Sequence, residues 1–167
     1  MDRIATVAVV LALTSAATPG CTGPGADAQT LPVGPWPTAM VLDRRTGHAF
    51  VLNSGNNTVS VLDTRRRTLL RTTAVGTFPG AFVQTGYTRA IAVGERNERV
   101  FVGSYGRPGG ITTLDAVSGR ALSSIALPVS PGRIMVDEVT NRVFVSSDGV
   151  ATTMLVSVLD ATSGRLL

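Results

Sequence analysis

The strongest constraint on this chain is internal, because three stretches of it overlay on one another. Met40–Leu70 reads MVLDRRTGHAFVLNSGNNTVSVLDTRRRTLL, Ile91–Leu122 reads IAVGERNERVFVGSYGRPGGITTLDAVSGRAL, and Ile134–Leu167 reads IMVDEVTNRVFVSSDGVATTMLVSVLDATSGRLL. Phe50, Phe101 and Phe144 align, as do Asp63, Asp115 and Asp160. The step from the second copy to the third is near 43 residues, and an insertion around 78–87 lengthens the first step.

Each copy carries four short Val-rich runs separated by turn residues, a pattern of strands rather than helices. In the first copy they are Ala39–Leu42, Ala49–Asn53, Thr58–Leu62 and Leu69–Val75, here called strands a, b, c and d. One turn recipe, D-x-x-[ST]-G, joins a to b and c to d. It opens at Asp43, Asp115 and Asp160, and Asp137 opens a version in which Asn141 replaces the glycine. An Asp at the turn start accepts hydrogen bonds from N–H groups two and three residues on, and Gly or Asn takes the positive-φ position that closes the hairpin. Asp63 opens a fifth such turn that closes on Arg67, which predicts a strained or longer connection. These five aspartates are thereby assigned to turns, which argues against a paired-carboxylate or metal site among them.

A repeat of this period built from four strands reads as an all-β fold, a partial β-propeller of about three four-stranded blades. Three blades do not close a ring, since natural rings use about four to eight. The arc is therefore open, or is completed by missing blades or by a second chain. The ends carry a clue: Leu31-Pro32-Val33-Gly34-Pro35 matches the tail of the second strand d, Leu127-Pro128-Val129-Ser130-Pro131, whereas the third copy reaches only the start of its own strand d at Leu166-Leu167. A homodimer in which each chain lends Leu31–Gly34 to the other is one way to join them.

Residues 1–28 read as a leader and 29–167 as the repeat region. The apolar stretch Ile4–Ala17 is shorter than the roughly 20 residues a spanning helix needs, and it fits a signal peptide. Ala26-Asp27-Ala28 supplies a small-x-small cleavage pattern, and Cys21, after Gly20, is a lipidation candidate resembling a bacterial lipobox that would anchor the chain to a membrane. Both imply an extracytoplasmic location. Cys21 is the sole cysteine, so no internal disulfide forms. The fifteen basic residues are all Arg and give a net charge of +4, but they are scattered. The densest run, Arg65-Arg66-Arg67, lacks the interleaved aromatics of a nucleic-acid footprint and reads as a solvated turn.

The segment FVLNSGNNTVSVLDT resembles the YVTN-family β-propeller repeat. Phe50, Val51, Leu52 and Asn53 stand at the four name-giving positions, and Asn57 through Asp63 match the second half of the signature. The other two copies match more loosely, and the resemblance covers Leu31 to the C-terminus. It implies the propeller fold and an exported or surface-associated bacterial protein. Similar propellers include lactonases and cofactor-dependent oxidoreductases, so the resemblance leaves activity open.

The near-identical a–b and c–d turns occupy one face of such a disc, and the variable b–c and d–a loops occupy the other. Candidate binding residues therefore sit on the second face: Trp36, Asn56, Tyr87, Tyr105, Arg107 and Asp148. Packing of Trp36 over the first blade is the competing reading, and the sequon Asn56-Asn57-Thr58 also reads as a turn. No catalytic residue, metal site or cofactor is expected. The single histidine, His48, falls at a strand start, no C-x-x-C-H motif occurs, and G-x-S-x-G, P-loop and dinucleotide fingerprints are missing. The expected function is a non-catalytic extracytoplasmic scaffold binding a protein or glycan, with no nucleic-acid partner. The alternative is a truncated piece of a propeller enzyme.

Overall fold

The computed structural model describes residues 8–10, 30–76, 88–106, 108–147 and 155–167. It is all-β: every element among these residues is a strand. A short antiparallel pair, β1 (Ala8–Val10) and β2 (Thr30–Pro32), precedes the repeats. Blade 1 is the four-stranded meander β3 (Pro37–Asp43), β4 (His48–Asn53), β5 (Thr58–Asp63) and β6 (Thr68–Ala74). Blade 2 repeats it with β7 (Thr88–Gly94), β8 (Arg99–Ser104), β9 (Gly109–Asp115) and β10 (Ala121–Leu127). Blade 3 contains β11 (Pro131–Asp137), β12 (Arg142–Ser147) and β13 (Val156–Asp160), with Leu166 bridging Leu159 where a fourth strand begins.

Antiparallel register fixes which side chains share a face. In blade 1 Phe50 lies opposite Val41 and Val61, and all three point toward blade 2. There they meet Val100, Val102 and Leu114 in one apolar cluster, which Val75 completes from the end of β6. Blade 2 turns the other parity to blade 3: Phe101, Ile111 and Leu127 pack on Val143, Val145 and Leu159. The first strands β3, β7 and β11 lie side by side, while β6, the last strand of blade 1, is almost wholly exposed. This is the wedge stacking of a propeller arc. The strand b positions are buried on both faces in β4 and β8, and only in part in β12.

The outward side of blade 1 is not bare. Leu31 and Val33 pack over Ala49, Val51 and Leu62. By sequence match and packing, Leu31 is the equivalent of Val75 and Leu127, the residues that end strand d and seat on the next blade. The chain thus places a segment like the tail of strand d on blade 1 from its own N-terminal side. Thr30–Pro32 pairs with Ala8–Val10 rather than with blade 3.

The a–b turns clasp one another in a fixed direction. Arg44 N–H donates to Glu95 Oε1 (3.2 Å), and the Arg45 guanidinium donates to the Glu95 and Arg96 carbonyls (3.2 and 3.4 Å). One blade on, Glu95 N–H donates to Glu138 Oε1, and the Arg96 guanidinium donates to the Glu138 carbonyl at 3.3 Å. The c–d turns add a second contact. Gly119 (φ 69°) lies so close to blade 1 that a Cβ there would come within 2.7 Å of Val61 Cγ2, and a Cβ on Gly164 would meet Thr113 Oγ1 of blade 2 at 2.8 Å. Glycine is needed at these two positions both for positive φ and for close approach.

Candidate functional site

The turn face behaves as its aspartates dictate. Asp43 Oδ1 accepts from the N–H groups of Arg45 and Thr46, and Asp63 Oδ1 from those of Arg65 and Arg66. Asp115, Asp137 and Asp160 accept from both the N–H and the hydroxyl of Ser118, Thr140 and Ser163. These bonds favour the charged form. The Arg66 N–H holds the Asp63 carboxyl below its usual value against partial desolvation. At Asp115 desolvation pushes upward most strongly, yet the Ser118 hydroxyl and N–H, with Arg99, outweigh it. The Thr140 hydroxyl lowers Asp137, and the Ser163 N–H and hydroxyl lower Asp160.

Arg67 closes its turn at φ 56° without lengthening it, so strain, not extension, is what the sequence departure produces. Glu98 (φ 54°) does the same in the a–b turn of blade 2, which lacks an opening Asp and was not legible as a member of the set. The triple-arginine run is this turn, with the Arg66 guanidinium 2.9 Å from Asp63 Oδ2. His48 donates from Nδ1 to Ala116 O at 3.0 Å and meets the Phe50 ring edge-on. In the other copies its position holds Arg99 and Arg142, paired with Asp115 and Asp160. All three side chains are thus engaged in structure. No group of three or more His, Cys, Asp or Glu side chains suited to a metal ion occurs among the described residues.

The opposite face is built by pressing b–c loops against d–a loops. In blade 1, Ser54 N–H donates to Trp36 O (2.9 Å), Gly55 N–H donates to Pro35 O (3.1 Å), and the Thr38 and Ser54 hydroxyls lie 2.6 Å apart. Gly55 permits the approach, since a Cβ there would stand 3.0 Å from Pro35 O. Asn53 braces the loop from below, donating to Thr58 Oγ1 (3.1 Å) and Ser60 Oγ (2.9 Å). The result is an unusual Trp36: its backbone is held at φ 51°, and the residue is 65% exposed. It does not pack over blade 1. A large aromatic residue in left-handed backbone is an outlier that persists only where the surroundings impose it.

Asn56 is exposed on the same pair of loops, and its Oδ1 accepts from Thr58 Oγ1 at 2.7 Å, so the sequon stretch forms a tight turn closed by Asn57 at φ 51°. Tyr105 is half-buried at the start of the blade 2 loop, where Ser130 Oγ donates to Gly106 O (2.8 Å) and accepts from Gly106 N–H (3.3 Å). Trp36 and Asn56 are therefore brought together on blade 1, and Tyr105 stands on the same face of blade 2. Tyr87, Arg107, Asp148 and Cys21 lie outside the described residues. Pro35 and Ser54 fall in the loops that the sequence assigns to this face, but the bonds they make, and the part of Thr38, were not legible, because nothing in their spacing marks a bond between loops that flank two different strands.

The fold places the chain among β-propellers. The hydrazine synthase of Kuenenia stuttgartiensis superimposes with a TM-score of 0.70 at 19% identity, over 83% of this chain and 38% of that one. Sqt1 of Saccharomyces cerevisiae superimposes with a TM-score of 0.63 at 16% identity, over 84% of this chain and 39% of its own. Both are propeller proteins, and the present chain spans less than two-fifths of each. No family model and no curated protein matches the chain.

Proposed function

We propose that this chain is a non-catalytic, extracytoplasmic β-propeller scaffold that presents its b–c and d–a loop face to a protein or glycan partner. The observation that carries this reading is Trp36, exposed yet fixed in strained backbone by two loop-to-loop hydrogen bonds. A rigid, solvent-facing indole beside the Asn56 turn suits stacking on a sugar ring or an apolar side chain. The YVTN-like repeat and the apolar leader support export, with cleavage after Ala28 or lipidation at Cys21. Mass spectrometry of the N-terminus of exported protein distinguishes the two.

The test is binding of the exported chain to a glycan array and to a bacterial envelope extract, beside Trp36→Ala with unchanged circular dichroism. Loss of binding by about tenfold or more supports the reading. Binding that Trp36→Ala leaves intact refutes the assigned face. A second reading rests on a separate observation: the chain spans only 38% of an enzyme chain of similar fold. In that reading the three blades belong to a longer propeller enzyme whose reacting groups lie on other blades. Lactone hydrolysis or redox turnover by a longer gene product would favour it.

A further inference from the structure

We propose that the open face of blade 3 is a docking surface for one further blade of this same repeat type. That blade carries a carboxylate at the first position of its a–b turn and a glycine closing its c–d turn. The inference goes beyond whatever the loop face binds.

The face is apolar and continuous with the junctions already formed. Phe144 stands at the position of Phe50 and Phe101, beside Met135 and Val158, on the side of blade 3 that points away from blade 2. Phe50 and Phe101 are fully buried by the next blade, whereas Phe144 is 36%, Val156 61% and Met135 68% exposed. The β13 edge is open as well. Leu166 and Leu167 begin a fourth strand, and among the described residues nothing pairs beyond them. A blade that follows a completed strand d covers this face as blade 2 covers blade 1.

The two existing junctions state what that blade must carry. At each one, the N–H of the first turn residue finds a carboxylate on the next blade: Arg44 finds Glu95, and Glu95 finds Glu138. Blade 3 offers Glu138 N–H onward to the same position. At each one, a glycine of the incoming c–d turn approaches the previous strand c: Gly119 reaches Val61, and Gly164 reaches Thr113. On blade 3 the corresponding residue is Val158, as bulky as Val61. Blades 2 and 3 meet both requirements themselves. Blade 1 meets neither, since it has Arg44 at the first position and Arg67 at the second. A second copy therefore does not fit by its blade 1, and the occupant is a blade of the second or third kind.

The experiment extends the chain after Leu167 with a repeat of residues 123–167, which completes strand d and adds one blade with Glu and Gly in place. A matched extension carries Glu138→Arg and Gly164→Arg in the added copy only. In both, and in the unextended chain, Met135→Cys of the original blade 3 reports coverage through its labelling rate by a thiol reagent, with Cys21→Ser removing the native thiol. Labelling should slow at least tenfold in the first extension and stay near the unextended rate in the matched one. Light scattering should give the unextended chain a single-chain mass. Equal labelling in the two extensions, a first extension that labels fast or does not fold, or a two-chain mass with Met135→Cys protected would each overturn the proposal.

Discussion

Phe101 and Phe144 occupy one position in two blades, yet the first is sealed and the second stands at an uncovered face. Their strands are nearly identical, RVFVGS and RVFVSS. What differs is the neighbour. A propeller blade does not bury its own apolar residues. It half-buries them and relies on the next blade for the rest, so the same sequence is core in one place and surface in another.

The largest effect that tests this contrast is a pair of truncations. Phe101→Ala should cost about 3–5 kcal/mol, from lost burial and a cavity, whereas Phe144→Ala should cost about 1 kcal/mol in the unextended chain. Urea titrations of both variants measure the difference, and equal losses would break the contrast. Next comes Gly119→Ala, which should cost about 2 kcal/mol because a Cβ meets Val61 at positive φ. Gly47→Ala, also at positive φ but with nothing nearer than 3.8 Å, should cost about 1 kcal/mol.

Acid comes third. Asp63, Asp115, Asp137 and Asp160 are held below the ordinary carboxylate value, so their stabilisation is present above that value and is lost as pH falls through their lowered folded-state values. The melting temperature should stay level from pH 7 to about 5 and drop by several degrees below about 4, where carboxylates protonate. Serine-to-alanine changes at Ser118 and Ser163 should shrink that drop. The smallest effect runs the other way. Arg67→Gly relieves left-handed strain and should stabilise by about 0.5–1 kcal/mol, read as a rise of a few degrees in Tm.

Much of this fold was legible because turns and strands are local. D-x-x-[ST]-G announces a hairpin within five residues, and the four strand runs read in the first copy matched their observed bounds to within one or two residues. What escaped depends on contacts between blades. Arg67 looked anomalous in a linear pattern. Its place is explained by what its glycine counterparts touch: Gly119 and Gly164 press on a preceding blade, and the described residues put none before blade 1. The candidate site was legible only as a face. That Trp36 is exposed and conformationally fixed follows from Ser54 and Gly55, which lie nearly twenty residues away and bond to carbonyls that carry no side-chain signature.

The seating of Leu31 and Val33 on blade 1 has a kinetic meaning. Those residues are synthesised before the blade they cover, so blade 1 can shield its outer side as soon as its own meander forms. Each later wedge then docks on one already folded, and the guanidinium donors Arg45 and Arg96 emerge before the carbonyls they grasp. Assembly of this arc can therefore run vectorially from its N-terminal end, with only the newest flank left sticky at any moment during emergence from the ribosome.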